Sequence, residues 1–405
     1  MQPIGDTPAS WLGTAGVDRG GLGEFRASRP FTLGVELELM LLDETSGQLA
    51  SDSPALLRDL ETHQFSSKIK AEIAQSMIEV NSGVHTSAAS LEEELCSLCA
   101  AVQAAARDRR LLLCGGGAHP FRDWPQRDIF PASRFDRVYE TYGYLAKQFA
   151  VCGQHIHVGV ANANDALYLG HVFSRFAPHF IALSAASPFQ RGIDTAFQSS
   201  RVNVVSMFPL SGHLPDIHDW RDFSAYFSRM QRTGLVRSMK DFYWDVRPKP
   251  EFGTVEIRVC DTPVTVAQAA DLATLAQAIA RLYLAKRPAL DTALQYDLYA
   301  VNRFMAARFA CDATILDIEL DRPGELAHSI DALIDRCAPF CTDPGAAARL
   351  ERLRTRARRR YSDAEWMRAT IRRDPDWARL MVLQSARLLE RGATEPPEGG
   401  CRNWS

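Results

Sequence analysis

Two glutamates one residue apart, Glu36 and Glu38, lie inside the run FTLGVELELMLLD. Phe31, Leu33, Val35, Leu37 and Leu39 alternate with them, which is the pattern of a β-strand with one buried face. The two carboxylates then share the opposite face, roughly 7 Å apart at the rise of a strand. Glutamate is not a favoured strand residue, so the pair calls for a chemical explanation. FGTVEIRVCDTP repeats the pattern, with Val255, Ile257 and Val259 alternating with Thr254, Glu256 and Arg258. CGQHIHVGV does so again, placing His155 and His157 on one face between Gly153 and Gly159; glycines in a strand admit a close approach by another group. In KAEIAQSMIEVNSGVH, Glu72 and Glu79 stand seven apart. If that segment turns to strand near Met77, Glu79 points at the sheet and Glu72 reaches it from the end.

Carboxylates brought together this way repel by roughly 4 kcal/mol per pair at 4 Å and an effective dielectric near 20. Several such pairs would strain a fold whose whole margin is about 5–15 kcal/mol. Raised pKa values or bound divalent cations relieve the strain. An oxygen-rich set suits Mg²⁺ or Mn²⁺, whereas zinc wants more histidine or cysteine. Metal ions beside arginines are what phosphoryl transfer requires, because positioning and charge neutralisation supply most of its catalysis. A phosphate-binding GxxxxGK[ST] loop is missing, and CGGGAHP at 114–120 lacks the lysine and helix to serve as one; it reads as a strand-end turn.

The elements that must position these groups follow from the same patterns. Strands are expected over 31–42, 76–81, 111–115, 153–160 and 253–260. Capping boxes at Ser90–Glu93, Thr265–Gln268 and Ser362–Glu365 mark helix starts, with helices over about 90–110 and 265–285, and the chain beyond 265 is almost wholly helical. Strands dispersed among helices without regular βα alternation predict an α+β fold on a mostly antiparallel sheet. Residues 1–28 and 393–405 read as flexible tails around one catalytic domain, 29–392.

The 405 residues carry a net charge of −3, which suggests neither a nucleic-acid nor a membrane-surface protein. Nine scattered cysteines argue for reduced thiols and a cytoplasmic setting, and Cys96-Ser-Leu-Cys99 reads as helix packing ahead of a zinc or redox pair. The seven arginines between Arg349 and Arg360 read first as a solvated helix face, with anion binding as the alternative.

Taken together, GVELELMLLD, IEVNSGVH, CGQHIHVGV, YWDVRPKPEFGTVEIRVCDTP and VNRFMAARF resemble, in order over about residues 29–390, the bacterial glutamate–cysteine ligase type 2 family, also called carboxylate–amine ligases. The resemblance implies a glutamine-synthetase-like catalytic fold with a curved antiparallel sheet, ATP and Mg²⁺ (or Mn²⁺) as cofactors, amino acids as substrates, and weak γ-glutamyl–cysteine formation through an acyl phosphate. It implies metal ligation by Glu36, Glu38, Glu72, Glu79 and Glu256, with His155 reaching the metal–nucleotide site. Arg258 and, by a looser match, Arg201 become phosphate- or substrate-binding arginines. His157 is a candidate base for the attacking amine, and a homodimer would be compatible. Two other readings stay open: a zinc or iron hydrolase using His155 and His157, and a homologue that binds nucleotide without catalysis.

Overall fold

The computed structural model describes residues 22–122, 128–318 and 322–390. Seven strands form its main sheet: β1 (Leu33–Asp43), β2 (Ile69–Ala71), β3 (Met77–Asn81), β4 (Leu111–Cys114), β5 (Gly153–Gly159), β6 (Val246–Lys249) and β7 (Thr254–Asp261). The order is β6-β7-β5-β1-β3-β2, with β4 also paired to β1, and every pairing is antiparallel. The long β1 pairs with three strands: β5 over Leu33–Leu37, β3 over Glu36–Met40 and β4 over Met40–Asp43.

Alternation decides which side of this sheet is greasy. Leu33, Val35, Leu37, Leu39, Ile156, Val158, Val255 and Ile257 are all buried in one core, each worth about 1.5–3 kcal/mol in area removed from water. The helices Ala88–Asp108, Ala163–Ser184 and Val266–Lys286 cover that face. Val266–Lys286 is buried nearly all round, as its Ala/Leu composition allows.

Thr265 and Ser362 cap their helices, their side chains accepting from the amides of Gln268 and Glu365. The first start lies elsewhere: Ser87, not Ser90, caps Ala88–Asp108, and its hydroxyl accepts from the Ser90 amide. Ser87 is the residue with extended backbone geometry, as an N-cap needs, and Ser90 is already helical. Two short elements escaped the sequence patterns, β2 and β6; so did the hairpin Thr314–Asp317/Arg322–Glu325 beyond residue 265. In β6, Pro248 disguises a strand, and it is tolerated because β6 is the sheet edge.

The expected N-terminal tail is tied down at its end. The amides of Arg26 and Ser28 donate to the carbonyls of Pro250 and Val160, and Phe25 packs edge-on against Trp220. Residues 393–405 lie outside the described residues. The arginine run 349–360 is not simply solvated. Arg349 and Arg352 meet the buried Asp271, Arg354 and Arg358 meet Asp331, and Arg356 meets Asp363. These arginines fasten the helix Ala346–Arg358 to its neighbours and have acids already in hand. Cys99 is fully buried in the core, and burial pushes its thiol up. Among the described residues no helix is long and apolar enough to cross a membrane.

Candidate active site

The polar face of the sheet lines a cavity of ≈ 440 Å³. Its residues arrive through register. Glu36 lies opposite Asn81 on one side and His155 on the other, Glu38 opposite Glu79, and Glu256 between His157 and Arg247. A β-bulge between Ile257 and Cys260 inserts one residue and re-aims the strand there, at the position of Arg258. Glu72 follows the end of β2, and its carboxylate accepts from the Ile73 amide at 2.6 Å.

The acids fall into two sets. In the first, ligand atoms of Glu36, His157 and Glu256 lie within 4.8 Å of one another; in the second, those of Glu38, Glu72 and Glu79 do. The first set is surrounded by cations. Arg247 and Arg258 reach the Glu256 carboxylate at 2.5 and 2.7 Å. Burial raises the Glu256 carboxyl, but Arg247, Arg258 and Lys249 outweigh it and hold it well below the ordinary range. Burial likewise raises Glu36, and hydrogen bonds from His155 and His157 reverse the effect. In the second set the help from Arg134, at Glu72, and Lys70, at Glu79, is outweighed. Burial, then the charges of Glu38 and Glu79, push Glu72 up to about 8. Burial and Glu36 push Glu79 up to about 7, against a hydrogen bond from Asn81.

The two histidines show what the face can hold. His157 Nδ1 bonds the Thr254 hydroxyl at 3.0 Å, leaving Nε2 between Glu36 (3.3 Å) and Glu256 (3.8 Å). His155 Nδ1 faces Glu36 at 2.9 Å, and its Nε2 lies 3.6 Å from Glu38. Neither Nε2 has a hydrogen-bond partner. Burial and Arg258 favour the neutral form of His155, so a lone pair faces a carboxylate. Divalent cations between these atoms fit that arrangement: an all-oxygen set at Glu38, Glu72 and Glu79 suits Mg²⁺, and one imidazole with two carboxylates suits Mg²⁺ or Mn²⁺. Thr254 provides the kind of outer hydrogen bond that orients a ligating histidine.

Arg201 is buried, and its guanidinium lies 3.3 Å from the Arg258 carbonyl at the cavity wall. A Cβ on Gly153 would stand 1.9 Å from Arg201 Nη2, so that glycine makes room for the arginine. All nine residues singled out from the sequence are thus on this face or at its rim, except that His157 contacts Thr254 as well as the acids. Sequence reasoning passed over Arg247 and Lys249, which line the cavity from β6. The signal was present, since Val246 and Pro248 alternate with them, but the proline masked the strand. A separate group, His171, Asp216 and His218, lies away from this cavity. Both ring nitrogens of His171 are engaged there, by Tyr296 and the Ile217 carbonyl, so it reads as a packed structural histidine.

The main sheet is antiparallel, carries its acids on one polar face and is backed by helices on the other. The profile of the glutamate–cysteine ligase family 2 matches residues 32–384, and the chain belongs to that family. It is 42 % identical over 371 residues to a provisionally named glutamate–cysteine ligase 2 of Janthinobacterium sp. (strain Marseille), covering 91 % of this chain and 100 % of the relative. It is 46 % identical over 347 residues to one of Azoarcus sp. (strain BH72), covering 86 % and 92 %. Among solved structures, the glutamate–cysteine ligase of Francisella tularensis in complex with AMP superposes with a TM-score of 0.64 at 14 % identity, over 90 % of this chain and 89 % of that one. The bifunctional glutathione synthetase of Pasteurella multocida gives 0.62 at 14 % identity, over 88 % and 52 %. The protein is a ligase of this fold.

Proposed function

We propose that the protein is an ATP-dependent carboxylate–amine ligase of the glutamate–cysteine type, acting through an acyl phosphate. One observation carries the reading: five glutamates from β1, β3, β7 and the end of β2 converge on one cavity in two sets, beside Arg247, Arg258 and Lys249. In this reaction the glutamate γ-carboxylate attacks the terminal phosphorus of ATP. The bond to the bridging oxygen breaks, ADP leaves, and the amine nitrogen of cysteine or a related amino acid then displaces phosphate. Glu36, His157 and Glu256 would hold one Mg²⁺, and Glu38, Glu72 and Glu79 another. When bound, Mg²⁺ supplies charge neutralisation of the phosphate oxygens.

The chain's own groups do the rest. Arg258 and Lys249 offer positive charge to the phosphoryl oxygens, Arg258 as a planar fork of donors. Arg201, locked against Gly153, closes the wall of the same cavity. In this reading His157 serves the cation-holding set rather than deprotonating the amine, because Thr254 takes its Nδ1 and its Nε2 lies between two carboxylates.

The test is an ADP-release screen with ATP, Mg²⁺ and glutamate paired against a panel of amines. The wild-type enzyme should release ADP in an amine-dependent way, and Glu36→Gln should fall to background with an unchanged circular dichroism spectrum. Normal turnover by Glu36→Gln removes the ligand assignment. Tightly held zinc in the purified protein, with no ATP use, would favour the hydrolase reading instead.

A further inference from the structure

The segment VNRFMAARF lies on the helix Thr292–Phe309, outside the sheet, yet its Arg303 reaches the cavity wall. The preceding residue serves another element: the Asn302 amide group donates to the Leu316 carbonyl at 2.9 Å and accepts from the Leu316 amide at 3.0 Å. Arg303 is buried, and each arm of its guanidinium is engaged. Nε and Nη2 fork onto the two carboxylate oxygens of Asp245, Nη2 at 3.0 Å. Nη1 donates to the Ser206 hydroxyl at 2.6 Å, and Nη2 also to the Val202 carbonyl at 3.3 Å. Tyr299, one turn earlier on the same helix, donates its hydroxyl to the Asp245 carboxylate at 2.6 Å.

These contacts grip the backbone beside both cavity arginines. The Arg258 amide donates to the Asp245 carbonyl at 2.7 Å, and the Asp245 amide to the Gly212 carbonyl at 2.7 Å. The first of these bonds adjoins the bulge in β7, where the register with β5 passes from Ile257 to Cys260, so Asp245 holds Arg258 where the ladder with β5 is interrupted. Val202 follows Arg201 in the short helix Arg201–Ser206, and Nη1 and Nη2 of Arg201 each donate to the Arg258 carbonyl at 3.3 Å. The chain of contacts closes on itself: Arg258, Asp245, Arg303, Val202, Arg201 and back to Arg258. Two cations at one wall repel each other, so the guanidinium groups alone would not keep this spacing. A forked, charge-assisted ion pair tied to both backbone segments does.

We propose that Arg303 and Asp245 are positioning residues that aim Arg258 at the transferring phosphoryl group, with Arg201 as the brace that completes the circuit. The reaction step in this inference rests on the ligase reading; the geometry rests on the hydrogen bonds. Arg303 and Asp245 spend their polar atoms on each other and on the neighbouring segments, and act on the chemistry through Arg258. A displacement of about 1 Å in an aligned group costs about a hundredfold in rate.

The experiment is a double-mutant cycle on the full-length protein. It is read by ADP release with ATP, Mg²⁺, glutamate and the most active amine of the panel, and by calorimetry with Mg²⁺ and inorganic tripolyphosphate. Arg303→Lys keeps the charge and loses the fork. It should lower kcat per folded molecule by about ten- to a hundredfold, with KM for ATP changed less than about threefold. In an Arg258→Ala background the same change should lower the residual rate less than about threefold, because the group it aligns is gone. Tyr299→Phe removes one hydrogen bond from Asp245, should lower kcat about two- to tenfold, and takes the place of Arg303→Lys if thermal melting shows that variant unfolded. Tripolyphosphate should bind at least about threefold more weakly to Arg303→Lys than to wild type, with no further loss in Arg258→Ala. Losses that multiply in the Arg258→Ala background, or an unchanged kcat in the single variants, overturn the positioning role and leave the ligase reading intact. A wild type that does not use ATP overturns the ligase reading, and the binding cycle then decides the positioning role; one that also fails to bind tripolyphosphate overturns both.

Discussion

Glu256 on β7 and Glu79 on β3 occupy the same buried face yet live under opposite charge conditions. Glu256 is bracketed by Arg247 and Arg258 and is held ionised. Glu79 has an asparagine for its nearest partner and is driven toward its neutral form, with Glu72 beside it driven further. One half of the site has its counter-charges in direct contact; in the other, Arg134 and Lys70 only partly offset the burial and like charges that raise Glu72 and Glu79. The contrast teaches where a bound cation would matter most. A cation at Glu38, Glu72 and Glu79 adds the charge that Arg134 and Lys70 supply only in part, whereas one at Glu36, His157 and Glu256 joins acids already held ionised by their neighbours.

The comparison can be broken by neutralising each half in turn. Glu256→Gln should destabilise the metal-free protein by about 3–5 kcal/mol, because two buried arginines lose their acid. Glu79→Gln in EDTA should cost nothing or add up to about 1 kcal/mol, since it removes repulsion. Urea unfolding measures both, and equal losses would end the comparison. A smaller effect is the pH dependence. A carboxyl whose folded pKa is raised binds more protons in the native state than in the unfolded chain between the two values. Stability in EDTA should therefore be fully present below about pH 4.5 for these groups and fall as pH rises toward 8. Glu72→Gln should flatten that slope, and saturating Mg²⁺ should reverse it. Smallest, Asn81→Ala removes the hydrogen bond to Glu79, for about 0.5–1.5 kcal/mol; the apparent midpoint of Glu79, read by carboxyl NMR, should move upward.

Much of this face was legible before any coordinates, because strand alternation at Glu36/Glu38, His155/His157 and Glu256/Arg258 assigns side chains to a face without knowledge of the partners. What alternation cannot supply is register. Nothing in the individual segments says that Glu38 pairs with Glu79 and Glu256 with His157, and that pairing divides the acids into a strongly and a weakly compensated set. Arg247 and Lys249 were obscured for a local reason, a proline in a strand that only an edge position permits. The arginine run 349–360 was misleading in the other direction. Its charge is obvious along the chain, while its acids, Asp271, Asp331 and Asp363, come from distant segments that folding delivers.

The three-way pairing of β1 also bears on how errors are punished. Its leucines and its glutamates are interleaved, so a slip of one residue would bury both carboxylates among helices and turn the leucines into the cavity. β3, β4 and β5 each check that alignment independently. A chain that threads this strand wrongly therefore forfeits its core and its chemistry in the same event, and a misaligned yet durable impostor of the working enzyme has nowhere to hide.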